Sequence, residues 1–506
     1  MRRFSFLLLG IVLAASASAQ TAPAAPAATS APTDPALVRR ALTEQAAAKL
    51  TEDQIRRSTD VDSLSRLATI YNGKDFERFA WTLERLVQLM PDSGALKYQL
   101  AAFYAGRGDK TKAYDVLLRM QAQGFANDPS QDSRFEKIHG TEVWDYLIEN
   151  LKANAKPFGE GRVAFELPKG DRLLESIAWD PKRKQFLVGS AREGKIYLAD
   201  EDGKLADFIA PDTQNGLMSV LDLRADPAHD LLWVATTGAP HYKGFDKSIV
   251  GKSALVKFQL SSGRFLAHYA SPEDRHPHVF SSLALAPGGR VFVADGVRNE
   301  IYKLDSDGLK LLLANAKLKS IRGMAVSGDG KTLYFADYSL GILGIDLATN
   351  KGFELKRNPE RLVLGGIDGL YWYDGTLVIV ENGMIPSRVM RLKLARDGRA
   401  VESAMPLDAA QPVFDSPTLG AVVDSSLYFI ANSQKHLYDG YGVLKDPAQL
   451  APVRIYKSDL RFAWDQPGIS SSTLSEVPKA TPEQRKQFLE DQKSKPRQEV
   501  PKSNGG

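Results

Sequence analysis

The sequence has no cysteine, so a disulfide framework and thiolate chemistry are both excluded. It carries little net charge. The 65 Lys and Arg against 61 Asp and Glu give +4, and without Arg2 and Arg3 the balance is +2, which does not describe a nucleic-acid surface. It also lacks a membrane-spanning run: the apolar stretch from Phe4 to Ala15 is too short to cross a bilayer, and no later stretch is apolar enough. With Arg2 and Arg3 before it and Ala17-Ser18-Ala19 after it, that stretch has the basic, apolar and small-residue order of a secretory signal, residues 1–19, cleaved after Ala19. The mature chain is expected to begin at Gln20, in the periplasm or outside the cell.

At 506 residues the chain is too long for one ordinary core, and composition divides it. Residues 20–35 form an Ala/Pro linker with nothing to bury. Helical periodicity covers 36–153, and period-2 patterns broken by Gly and Asp turns cover 160–470. Residues 471–506 are a charged tail ending in Gly-Gly, expected to be solvated or disordered. Within the helical part, Leu96, Leu100 and Tyr104 share one helix face, Gly108-Asp109 makes a turn, and Ala113, Tyr114, Leu117 and Leu118 share the next. Ala80-Trp81 lies 33 positions before Ala113-Tyr114, and Pro91 ends the earlier helix. That interval resembles tetratricopeptide repeats, which implies a surface for a protein partner or a helical cap on the next domain.

The strand region repeats itself. "ESIAWDPKRKQFLVGS", "SVLDLRADPAHDLLWVAT", "SSLALAPGGRVFVAD", "RGMAVSGDGKTLYFAD", "DGLYWYDGTLVIVEN" and "PTLGAVVDSSLYFIAN" each give a strand, a turn and a second strand, starting at 175, 219, 281, 322, 368 and 417. Third strands such as "NEIYKLDSDG" follow most of them. Six units of about 40–50 residues predict a mostly β fold, a six-bladed β-propeller preceded by an all-α segment. The longer second step reflects an insertion around "GAPHYKGFDKSIVGKS".

Loops from every blade of a propeller converge at the channel mouth, so the residues opening the innermost strands are the candidate site. They are Glu175, Ser219, Ser281, Arg322, Asp368 and Pro417. At this ring the sequence resembles the senescence marker protein/gluconolactonase family of six-bladed propellers. The resemblance implies one divalent cation, calcium or zinc, on a Glu, two Asn and an Asp, hydrolysing lactones or esters with the Asp as general base. Glu175 in "LLESIAWDP" and Asp368 in "GGIDGLYWYDG" match, but the two Asn positions fall on Ser281 and Arg322.

A hard cation wants several oxygen ligands, and a fixed guanidinium in their midst opposes it. Two unit charges at ~4 Å repel by about 4 kcal/mol at an effective dielectric near 20. Arg322 is expected instead to take Glu175 and Asp368 as partners. The expected function is therefore an exported protein that binds a small polar or anionic ligand at the mouth and needs no cofactor. The alternative is a metal-dependent lactone or ester hydrolase in which Glu175 and Asp368 keep the metal and Asp368 is the base.

Other motifs are weaker. His276 and His278 precede the third inner strand; a His-x-His pair binds zinc only with further ligands, though His278 is placed to line the mouth. Ser281, Ser282 and His278 lack a Gly-x-Ser-x-Gly elbow. "SGDGK" lacks the ending of a phosphate loop and joins two strands. Asp295, Asp337 and Asn432, at the ends of second strands, are expected to bond neighbouring turns. No dinucleotide fingerprint is evident.

Overall fold

The computed structural model describes residues 44–357 and 361–461. The expected signal segment, the Ala/Pro linker, the first residues of the helical part, the last of the strand region and the charged tail lie outside them. The chain divides after Thr82 into two compact units. In the first, Thr51 caps helix Glu52–Arg57 in a reciprocal box with Gln54, and Asp60 caps helix Val61–Tyr71. Leu64, Leu67 and Tyr71 of that helix are buried, and the Tyr71 hydroxyl donates to the carbonyl of Ala47 at 2.8 Å.

The second unit begins within helix Phe76–Leu89 and continues through helices Gly94–Gly106, Lys110–Ala122 and Glu142–Asn154. Ser93, Asp109 and Thr141 each accept a backbone N–H at the start of these three helices. The Gly-Asp turn expected at 108–109 separates the first two.

From Arg162 to Asp459 the chain forms six four-stranded antiparallel sheets, the blades of a propeller. Five are sequential meanders, blades 1–5 in chain order, whose first strands begin at Leu174, Ser219, Phe280, Ile321 and Ile367, and the sheet of Gly420–Val423 is blade 6. In the sixth, strand Arg162–Leu167 pairs with Val453–Asp459, so the two ends of the propeller share one sheet and close the ring. Alternating apolar side chains pack blade on blade: Tyr334 and Ile342 of blade 4 share a cluster with Ile367, Leu370 and Ile379 of blade 5. Each large apolar side chain fully buried this way contributes about 1.5–3 kcal/mol.

The second strands end on side chains that hold turns, as expected. Asp337 accepts the N–H groups of Lys319 and Ser320 on one oxygen and of Ser339 and Leu340 on the other. Asn432 accepts from Arg454 N–H and donates to the Pro452 carbonyl. These bonds fix the loops at the channel mouth.

Candidate functional site

The innermost strands are Leu174–Asp180, Ser219–Asp226, Phe280–Leu285, Ile321–Val326, Ile367–Tyr373 and Gly420–Val423. Five of them slip register near their start, around Glu175, Leu221, Ser281, Arg322 and Asp368. A bulge at the mouth breaks the pairing there and re-aims the side chain. Blade 6 offers Thr418, whose hydroxyl donates to Asp368 Oδ2 at 2.7 Å. The ring is thus Glu175, Leu221, Ser281, Arg322, Asp368 and Thr418.

Two sequence assignments are corrected here. Ser219 is fully buried and its hydroxyl donates to the Ala191 carbonyl at 2.7 Å. Leu221 takes its ring position, packed beside Leu437 and Tyr438. Pro417 serves only through its carbonyl, which accepts from Asn382 Nδ2. The signals were in the sequence: Asp180-Pro181 and Asp226-Pro227 are 46 apart, which sets Leu221 against Glu175. Likewise Asn382 and Asn432 are 50 apart, which sets Thr418 against Asp368.

Arg322 leans toward blade 5. Its Nη1 lies 3.9 Å from Asp368 Oδ1, its Nε donates to Ser320 Oγ at 3.0 Å, and its guanidinium lies 5.6 Å from the Tyr338 ring centre. Among the described residues, neither terminal nitrogen of Arg322 makes a hydrogen bond. Glu175 is not its ion-pair partner, contrary to expectation, because blade 1 faces blade 4 across the channel and blade 5 adjoins it. Glu175 Oε1 is inaccessible to solvent and among the described residues has no hydrogen-bond partner, although the residue as a whole is only half-buried. Burial pushes the Glu175 carboxyl up, with Lys435 the strongest charge opposing it and Asp368 adding to the rise. Ser281 Oγ is likewise buried and unpartnered. These groups do not fit a divalent cation. Asp368 spends one oxygen on Thr418 and turns the other to a guanidinium, Leu221 offers no oxygen, and Arg322 brings its charge to the ring.

One level below, Asp222 and Arg224 of blade 2 and Tyr371 of blade 5 close the channel from opposite sides. Asp222 Oδ2 accepts the Leu283 N–H at 2.8 Å, Arg224 donates to the carbonyls of Leu283 and Gly420, and the Tyr371 hydroxyl accepts the Gly420 N–H. All of these backbone groups lie on inner strand edges that have no neighbouring strand. Arg224 Nη2 is 3.2 Å from Asp222 Oδ2 but off the hydrogen-bond axis, and Asp222 Oδ1 has no partner. Burial, opposed by Arg224, raises the Asp222 carboxyl from an ordinary 3.8 to about 6.

The folded state therefore takes up a proton that the unfolded chain releases between about pH 6 and pH 4. Stability from this group is lowest above pH 6 and rises as pH falls through that window, by about 3 kcal/mol. Asp222→Asn should remove this rise, seen as a flatter plot of urea midpoint against pH.

The rim is built by two loops the sequence marked only in part, 238–252 of blade 2 and 433–451 of blade 6. Arg192 cinches them: Nη1 donates to the carbonyls of His241 and Gly442, while Nε and Nη2 hold Asp171 at 2.8 and 2.9 Å. Gly442 has φ +76°, and a Cβ there would lie 2.4 Å from the Pro240 carbonyl oxygen, so only glycine lets the loops meet. Burial, reinforced by Lys435 and Arg192, lowers His241 to about 4. Lys435, exposed on this rim, is a site residue that sequence reasoning missed, because it lies in an irregular segment with no counterpart in the other blades.

His278 does not line the mouth. It is buried, with Nδ1 2.6 Å from Asp295 Oδ2 and Nε2 3.1 Å from Asp274 Oδ1. His278, Asp295 and Glu300 lie close enough to suggest a metal. Yet Asp295 Oδ1 already accepts three backbone N–H groups, Glu300 accepts from Tyr302, and the Arg298 guanidinium is 3.4 Å from Glu300. A cation is already supplied.

A cavity of about 340 Å³ opens at the other end of the channel, between Trp179 and Trp372. Its walls are mostly apolar, and its charged group, Arg224, belongs to the closure just described. The mouth, where charged and unsatisfied groups converge, is the stronger candidate.

No protein-family model matches the chain, and no curated protein matches it. Among solved structures it is similar to a virginiamycin B lyase from Staphylococcus aureus, at 17% identity over 54% of this chain and 82% of that one, TM-score 0.39. It is also similar to a gluconolactonase from Xanthomonas campestris, at 14% over 61% and 93%, TM-score 0.40. A third is the PQQ-bound aldose sugar dehydrogenase of Streptomyces coelicolor, at 14% over 60% and 99%, TM-score 0.41. Likeness this weak transfers no function.

Proposed function

We propose that this chain is an exported propeller protein that binds a small hydroxylated carboxylate at its channel mouth. Arg322, with Lys435 on the rim, holds the carboxylate. Glu175 takes a hydroxyl group through its other carboxylate oxygen, Oε2, and Asp368, anchored by Thr418, orients the guanidinium. The observation that carries this reading is the unspent hydrogen-bonding capacity of Arg322, whose side chain is 40% exposed at the mouth beside Asp368. The resemblance read from the sequence implies a metal ion at this ring, where this chain has the guanidinium of Arg322. A protein partner, if the helices take one, is assigned to the face of helix Glu142–Asn154 that leaves Val143 and Tyr146 exposed.

Gluconate is the first probe. Calorimetric titration should show saturable binding that weakens with added salt and disappears in Arg322→Met. Binding that survives Arg322→Met unchanged would overturn the assignment. Calcium-dependent lactone hydrolysis by the unaltered protein would favour the hydrolase reading instead.

A further inference from the structure

Resting on that reading, we infer that the helices after Leu83 brace the mouth, and that Asp92 is the positioning residue through which they hold it. Asp92 sits in the turn between helices Phe76–Leu89 and Gly94–Gly106 and is 5% exposed. One of its oxygens is ion-paired with Arg357, and the other accepts the Leu364 N–H at 3.3 Å. A Cβ on Gly365 would come within 2.5 Å of the Asp92 Cβ, so the propeller backbone approaches this carboxylate as closely as glycine allows. Around the bond, Met120 of helix Lys110–Ala122 and Phe125 just after it pack with Val363 and Met384 from the propeller. Ala126 N–H donates to the Ile385 carbonyl at 2.7 Å, and Arg388, ion-paired with buried Glu381, donates to the Gln123 carbonyl.

The segment held this way, 362–366, feeds directly into the inner strand that carries Asp368. It also reaches the other charged side of the mouth. Gly366 N–H donates to the Tyr338 carbonyl at 2.7 Å, and the Gly366 carbonyl accepts from Asn382 and Gly383. Tyr338 is the ring beneath the Arg322 guanidinium and donates its hydroxyl to Asn382 Oδ1 at 2.9 Å. Asn382 in turn donates to the Pro417 carbonyl, next to Thr418. Arg322, Asp368 and Thr418 therefore all hang from one loop, and Asp92 is that loop's charged tie to the helices. Blades 1 and 2, with Glu175 and Leu221, share none of these bonds.

The placement makes a specific prediction for Asp92→Ala in the full chain, with Asp92→Asn as the conservative partner that can still accept the Leu364 N–H. Amide exchange measured by mass spectrometry should quicken in segments 362–370, 336–342 and 382–387 of Asp92→Ala, and stay as in the unaltered protein in 174–190 and 219–237. Gluconate affinity should fall roughly tenfold, with Asp92→Asn recovering part of it. A general loosening across all blades, or no change at 362–370, overturns the inference. So does local loosening without loss of affinity in a protein that binds gluconate. If the unaltered protein takes no gluconate, the mouth assignment fails, and the exchange pattern still decides whether Asp92 positions the loop.

Discussion

Asp222→Ala is expected to cost about 3–5 kcal/mol of unfolding free energy, the usual effect of removing one partner from a buried ion pair. Asp222 is fully buried, the Arg224 side chain is 15% exposed, and the Leu283 N–H has the carboxylate as its acceptor. The substitution leaves a largely buried guanidinium without its counter-charge and an unsatisfied strand-edge amide in the middle of the channel. Arg224 keeps its bonds to the carbonyls of Leu283 and Gly420, so it cannot leave for water without exposing those groups too. The double substitution Asp222→Leu with Arg224→Met should recover most of the loss, because two charges are then removed together. Urea unfolding of the three variants measures this. A loss under about 1 kcal/mol in the single variant would mean the pair does not close the channel.

The second large effect is a gain. Arg322→Asn should make the mouth able to hold calcium, with affinity raised at least about a thousandfold over the unaltered protein, since a repulsion of about 4 kcal/mol for each unit of charge on the metal is removed. The new amide adds an oxygen beside Asp368, which is freed from the guanidinium, and faces Glu175 across the channel. Ser281→Asn in the same background should strengthen binding further, and Asp368→Ala should abolish it. Titration calorimetry with calcium chloride checks all three. If Arg322→Asn binds no calcium while remaining folded, the carboxylates do not converge enough for a metal, and the guanidinium is not all that keeps one out.

Much of this architecture could be read from residue patterns. Alternating apolar strands around Gly and Asp turns recur at a steady interval, so blade number followed from spacing. What did not follow was the contribution of strand Arg162–Leu167 to the last blade, since a strand paired across nearly the whole propeller leaves no local signal. At the mouth, Glu175, Ser281, Arg322 and Asp368 fell where their strands put them. Ser219 and Pro417 missed by two residues and one, because apolar alternation fixes a strand better than the bulge that starts it. His278 was misplaced for another reason: two carboxylates distant in sequence or set by a loop, Asp295 and Asp274, capture its ring. Lys435 and Asp92 act from irregular segments, where only tertiary contacts decide position.

The most direct test sets two ligands against the unaltered protein in one calorimeter: gluconate and calcium chloride. If a guanidinium occupies the mouth and waits for a carboxylate, gluconate binds saturably and calcium gives no specific heat. Micromolar calcium binding by the unaltered protein, lost in Glu175→Ala, with no response to gluconate, would contradict it.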